Sequence, residues 1–204
     1  MHLLPTHDEM VAVLRETGAL RKGHFVYPNG LHSDEYLQVP LAIRYYQHAK
    51  TWSVGLSRLV RANPEIRAII PELSVVSPGT GGIPVAYGVC EALRAKRVYW
   101  AEREFENKPQ RFRQFIEPEK GEQVLLVDDI LRTGSHLAEL KDLLESYGAV
   151  VVAVGVIIYQ PAPQTRTFGT LPLLHLARLE SAYYAEADAC ELCRRSLPAV
   201  EVWI

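Results

Sequence analysis

The spacing of apolar positions changes character along the chain, and each change marks an element. Thr6 followed by Glu9 has the separation of a capping box, and the run that reaches Leu14 is closed by Gly18, so a short first helix is predicted to cover one end of the core. Residues 23–38 instead place Phe25, Val26, Tyr27, Tyr36 and Leu37 on either side of Pro28-Asn29-Gly30, which predicts two short extended pieces belonging to an appendage. Between 46 and 62 the pattern turns helical, with Trp52, Leu56, Leu59 and Val60 at helical spacing, until Asn63-Pro64 stops it. From there the chain alternates. Strand-like runs at 75–77, 97–100, 124–128 and 150–159 are separated by helical runs at 83–93 and 135–147. This predicts βαβ units in an α/β fold: a doubly wound, mostly parallel sheet whose right-handed crossovers set helices on both faces.

Two stretches interrupt the alternation. Residues 101–121 (AEREFENKPQRFRQFIEPEKG) are polar, charged and too long for an ordinary connection, which marks a candidate mobile flap. The tail from Ala162 carries Pro163, Pro172 and Pro198 and is expected to be irregular, with one late strand at 173–179. At 204 residues, 48% hydrophobic and 23% charged, the chain is expected to form one main domain over 1–204 with an appendage. A formal net charge of -2 supplies no field for nucleic acid or an anionic membrane, so any phosphate must be held by a local site. The start MHLLPTHDEM has no basic leader, no run of eighteen apolar residues occurs, and Cys90, Cys190 and Cys193 form no disulfide framework. A cytoplasmic protein, without nucleic-acid or membrane partners, is expected.

Residues 124–137 (VLLVDDILRTGSHL) carry the sharpest chemistry. Four apolar β-formers predict a buried strand with Asp128 and Asp129 at its carboxyl end, where open α/β sheets place ligands. Arg132, Thr133, Gly134 and Ser135 then lead into a helix, so backbone amides and hydroxyls can surround a phosphate at the positive end of the helix dipole. Adjacent carboxylates repel unless hydroxyls or a cation lie between them; ribose hydroxyls or a hydrated Mg²⁺ would serve. A plain strand followed by a helix capped by Thr133 or Ser135 accounts for the hydroxyls, though not for two acids on a buried strand.

This segment resembles the diphosphoribosyl-binding signature of the type I phosphoribosyltransferases, with its apolar strand, two acids, two variable residues and a Thr-Gly turn. GHFVYPNGLHSDEYLQ at 23–38 is similar to the N-terminal region of the orotate phosphoribosyltransferases in that family, AERE with its basic loop resembles their flexible loop, and CELCRRSLPAV at 190–200 resembles the CPLC tail of one bacterial branch. The resemblance implies transfer of ribose 5-phosphate from phosphoribosyl diphosphate (PRPP) to orotate with Mg²⁺, a homodimer, and a base-covering hood made of residues 1–45 and the C-terminal tail. It assigns ribose binding to Asp128 and Asp129 and phosphate binding to Ile130, Leu131, Arg132, Thr133, Gly134 and Ser135. Ser77 to Gly82 matches the diphosphate loop, giving Thr80, Gly81 and Gly82 to the donor. Arg103 and Lys108 become the loop cations that join Asp129 in catalysis, since guanidinium or ammonium groups stabilise charge developing on a leaving diphosphate. Tyr36 and Leu37 become the wall over the base.

There are departures from the pattern. Arg132 stands where the family has a Thr that contacts orotate, and Gln160 stands where it has an Arg for the orotate carboxylate. Pro28 replaces a Lys or Thr, and the loop lacks Lys-x-His-Gly. Either Arg132 takes over the carboxylate from the other side or the pocket accepts a purine or another base; a non-catalytic PRPP sensor is the third reading. Cys190 and Cys193 make a CxxC that supplies half a zinc site with no second pair at ligand spacing, so packing is expected of them. His136 is expected on a helix surface.

Overall fold

The computed structural model describes residues 4–105 and 108–202, so Glu106 and Asn107 of the charged loop lie outside the described residues. Helix α1 (His7–Glu16) begins as its capping box requires: Thr6 Oγ1 accepts from the Glu9 amide at 3.2 Å while the Glu9 carboxylate accepts from the Thr6 amide at 2.7 Å. A hairpin of β1 (Leu20–Val26) and β2 (His32–Leu37) follows, closed by the Tyr27 amide on the Leu31 carbonyl at 2.8 Å and by Gly30 at φ 82. Helices α2 (Pro40–Ile43), α3 (Tyr46–Ala62) and α4 (Pro64–Ile69) come next. Asn63-Pro64 ends α3 and at once starts α4. The Asn63 side chain accepts from the Glu65 and Ile66 amides at 3.0 and 3.2 Å, and Pro64 occupies a position where a missing N–H is harmless.

The alternating half of the chain is β3 (Ser74–Pro78), α5 (Gly79–Leu93), β4 (Arg97–Ala101), β5 (Gln123–Leu131), α6 (Ser135–Ser146), β6 (Val150–Tyr159) and β7 (Leu173–Arg178). Its five strands are all parallel in the order β4-β3-β5-β6-β7. The period of two along β5 sorts its side chains between two cores. Leu125 and Val127 meet Trp52, Leu56, Val85 and Val89 from α3 and α5, whereas Val124 and Leu126 meet Leu137, Leu140 and Leu144 from α6. Helices therefore cover both faces, as the alternation predicts.

A second sheet, ordered β8-β2-β1-β9, adds β8 (Tyr183–Tyr184) and β9 (Val200–Glu201) to the hairpin, with the one-turn helix α7 (Glu191–Arg194) between them. The tail expected to be irregular beyond one strand thus contributes three further short elements, too short to leave a periodic trace. Helix α5 starts four residues before the expected Ile83, at Gly79, and β5 runs on to Leu131.

The closest helix contact joins α3 to α5, where a Cβ at Gly88 would stand 2.2 Å from Ser53 Oγ and 2.8 Å from Ser53 Cβ. Gly88→Ala gains about 1 kcal/mol of helix propensity but forces an overpacking cost of about 1–3 kcal/mol, so thermal unfolding should show a lowered Tm. An unchanged or raised Tm would show that the two helices separate without cost.

Candidate active site

Strands β3 and β5 are neighbours whose onward connections run to opposite sides of the sheet, which makes the crevice at their carboxyl ends the topological switch point. The β3–β5 ladder ends at Val76 paired with Leu126, while β5 continues against β6 as far as Leu131 paired with Tyr159. Asp128 and Asp129 consequently lie inside a strand rather than at its end, just past the last residue that β3 covers. Both are buried, at 9% and 7% exposure. The Asp129 amide donates to Asp128 Oδ1 at 2.9 Å.

The opening of α5 explains its glycines. A Cβ at Gly81 would come within 2.9 Å of Asp129 Oδ1, and one at Gly82 within 2.8 Å of Asp128 Oδ1 and 2.9 Å of Ser77 Cβ. Gly79, at φ 66, turns the chain straight from β3 into the helix. The loop assigned to diphosphate and the acids assigned to ribose therefore pack against each other.

Burial pushes the Asp128 carboxyl well above its ordinary range, and the neighbouring Asp129 charge adds to this. Burial also raises Asp129, with its hydrogen bonds and, last, the Arg132 charge opposing. Two desolvated carboxylates of this kind fit hydroxyl donors or a hydrated Mg²⁺. Beyond them, Gly134 (φ 72) is the N-cap of the twelve-residue α6 and no side chain caps the helix. Thr133 and Ser135 are thus not its caps, and the Ser135 amide meets Thr133 Oγ1 only at 3.4 Å. Gly134, Ser135, His136 and Leu137, at the start of α6, line the cleft, so an anion there would lie at the helix N-terminus.

Asp128, Asp129, Thr80, Gly81 and residues 132–135 share one cleft of about 840 Å³ with Tyr27, Tyr36, Leu37 and Tyr183. Arg132 stands between the two groups. Its Nε and Nη2 donate to Gln160 Oε1, both at 3.3 Å, Nη2 also donates to the Leu37 carbonyl at 3.2 Å, and Cζ lies 4.7 Å from the centre of the Tyr27 ring. Burial lifts the Tyr27 hydroxyl to about 12, against the opposing pull of Arg132. Gln160, expected to touch the base, is instead fully buried and absent from the cleft wall. Its amide spans Arg132 and Ser181 Oγ (2.7 Å), and Ser181 donates to Glu35 at 3.0 Å. Its contact is with the arginine that reaches the cleft. Tyr27 and Tyr183 are cleft residues that the sequence reading missed; the only signal for Tyr27 was its place before the Pro28-Asn29-Gly30 turn.

Arg103 lines the cleft, held by an ion pair with Glu139 of α6 and by donation to the Lys108 carbonyl at 2.7 Å. Lys108 is exposed and does not line the cleft. Among its described residues the flap has several contacts with the body: Glu102 bridges Arg111, Gln110 is buried, and Phe112 packs edge-on against Tyr99 and Tyr147. His136 is exposed at the rim.

Residues 57–167 match the family model described as the phosphoribosyl transferase domain. This chain belongs to the phosphoribosyltransferase family. It is 33% identical over 189 residues to the orotate phosphoribosyltransferase of Thermotoga maritima, covering 92% of this chain and 93% of that one. In fold it resembles the orotate phosphoribosyltransferase of Aeropyrum pernix, with a TM-score of 0.66, 22% identity, and 83% and 93% of the two chains covered. It also resembles the adenine phosphoribosyltransferase of Thermoanaerobacter pseudethanolicus, with a TM-score of 0.57, 11% identity, and 71% and 88% covered. The fold is thus shared by proteins named for different bases.

A carboxyl whose folded pKa is raised adds stability below its unfolded value, about 4, and loses it as pH rises through the folded value; at neutral pH the acid pair burdens the ligand-free fold. Asp128→Asn keeps the Oδ1 acceptor and removes one charge. It should raise the ligand-free Tm at neutral pH, with the gap from wild type narrowing on acidification. A Tm that falls, or a gap that widens in acid, would refute the burden.

Proposed function

We propose that this protein transfers the ribose 5-phosphate group of PRPP to orotate, giving orotidine 5′-phosphate and diphosphate, as its relatives' names indicate. The observation that carries the reading is Arg132, a cation fixed by Gln160, Leu37 and Tyr27 on the base side of a cleft whose other side is the buried acid pair. A planar guanidinium matches the carboxylate that distinguishes orotate from uracil and the purines.

In this reading Asp128 and Asp129 accept from the ribose hydroxyls, Ile130 and residues 132–135 hold the 5-phosphate with the α6 amides, and Thr80 and Gly81 approach the diphosphate through backbone N–H groups, while Gly82 and Leu131, expected at the donor, are buried and outside the cleft wall. Tyr36 and Leu37 keep the base in line with C1 of the ribose. As the bond from C1 to the orotate nitrogen forms, that nitrogen gives up its proton to the departing diphosphate and the bond to diphosphate breaks; charge grows on the leaving oxygens, and Arg103 with Lys108 answers it. Arg103 must exchange Glu139 for the diphosphate, and Lys108 must move inward. Bound Mg²⁺ would supply further positive charge to the donor's diphosphate, held by way of Asp128 and Asp129. Exclusion of water by the closed loop would protect the ribosyl centre from hydrolysis. The same reading includes a homodimer, a cytoplasmic setting and a role in pyrimidine synthesis; among the described residues no helix is long and apolar enough to cross a membrane.

The test is diphosphate release from PRPP and Mg²⁺ with orotate, uracil, adenine, guanine or hypoxanthine offered singly. Turnover with orotate supports the proposal. Turnover with a purine alone reassigns the base, and donor binding without turnover identifies a sensor. Arg132→Gln should lower kcat/KM for orotate about 10- to 100-fold, the equivalent of a charge-assisted hydrogen bond of roughly 1.5–3 kcal/mol. Gln160→Met, which frees one edge of the guanidinium, should lower it less. Unchanged orotate efficiency in Arg132→Gln would remove Arg132 from the carboxylate site.

A further inference from the structure

His24 of β1, His32 of β2, and Cys190 and Cys193 of the tail bring their ligand atoms together within 4.8 Å of one another. His24 Nε2 is 2.8 Å from His32 Nδ1, 3.8 Å from Cys190 Sγ and 3.6 Å from Cys193 Sγ; Cys193 Sγ is 3.4 Å from His32 Nδ1. A tetrahedral zinc with its usual bond lengths has edges of about 3.3 Å between nitrogens and about 3.5 Å between nitrogen and sulfur. The sulfur–nitrogen separations match that figure, and the nitrogen pair needs only a small opening. We propose that these four residues form a structural Zn²⁺ site that fastens the C-terminal tail to the N-terminal hairpin.

Three independent observations support it. His24 Nδ1 lies 2.9 Å from the Leu197 carbonyl, which can only accept; Nδ1 therefore carries the proton and the Nε2 lone pair faces the cluster. A backbone acceptor on the far nitrogen is the usual support behind a metal-binding imidazole. Both cysteines are free thiols, His24 and Cys190 are buried with His32 and Cys193 partly so, and four protein ligands leave no open position, as in structural zinc sites. Finally, the tail has little else to hold it. Of residues 185–201 Cys190 alone is buried, and β9 contributes two paired residues. Metal binding would supply the folding energy that apolar burial does not.

The site also bears on the cleft. The β8 residue Tyr183 lines it and precedes the tail directly, while Tyr36 and Leu37 leave β2 on the same sheet. A loosened tail would disturb the base side and leave the donor loops of the other sheet in place.

The full-length protein, purified without a histidine tag, should contain about one zinc per chain by elemental analysis, and less than about a tenth as much in Cys190→Ser/Cys193→Ser. Co²⁺ added to reduced, metal-stripped wild type should give the visible bands of tetrahedral coordination and a thiolate-to-cobalt charge-transfer band. Chelation should lower the Tm of wild type and expose the tail to protease without doing so in the double variant. Stoichiometric zinc or the tetrahedral cobalt spectrum establishes the site. Absence of both, or recovery of Cys190 and Cys193 as a disulfide, overturns it. The zinc and cobalt measurements on wild type stand even where the double variant fails to fold.

Discussion

Two carboxylates buried side by side at a sheet crevice are the condition to which the surrounding chain is fitted. Asp128 and Asp129 are desolvated, and the backbone of α5 presses so close that side chains at Gly81 and Gly82 would collide with them. The same proximity makes the cleft ready for a donor with hydroxyls at one end and phosphates at the other. On the proposed function, the stability that the paired carboxylates cost would be regained on binding such a donor, a common arrangement in binding sites.

The second organising element is Arg132. An arginine can be held on several edges and still present charge, because its donors are spread over a rigid plane. Gln160 grips it from within the core, Leu37 from the hood strand and Tyr27 from its face. One side chain so ties the five-stranded sheet to the smaller one, and fixes Tyr27 and Leu37 relative to the strand that carries the acid pair.

Much of this was legible in the sequence where hydrophobic period and element length agreed. The strand at 150–159 was read at its full extent because its ten residues, Val150–Tyr159, are almost uniformly apolar. The strand through Asp128 was read short because two acids end the hydrophobic signal although the ladder to β6 continues. Helix α5 was read late because its first four residues include three glycines, whose role is proximity rather than propensity. Gln160 stands where the resembled family has an arginine for the orotate carboxylate, and depth within the core is not a property that such a correspondence carries. The histidines facing the CxxC were invisible for a different reason. Ligands drawn from a hairpin and a distant tail have no linear spacing to recognise; only the pairing of strands from opposite ends of the chain brings them together.

That pairing governs when the protein can be complete. Val200 lies beside Phe25, so the smaller sheet closes across a long stretch of the polypeptide, and its last strand cannot be laid down until residues 200 and 201 have been made. The parallel sheet can order earlier from contacts more local in sequence. On the proposed reading, a growing chain would therefore hold the floor of the cleft in place before the smaller sheet that lies over it.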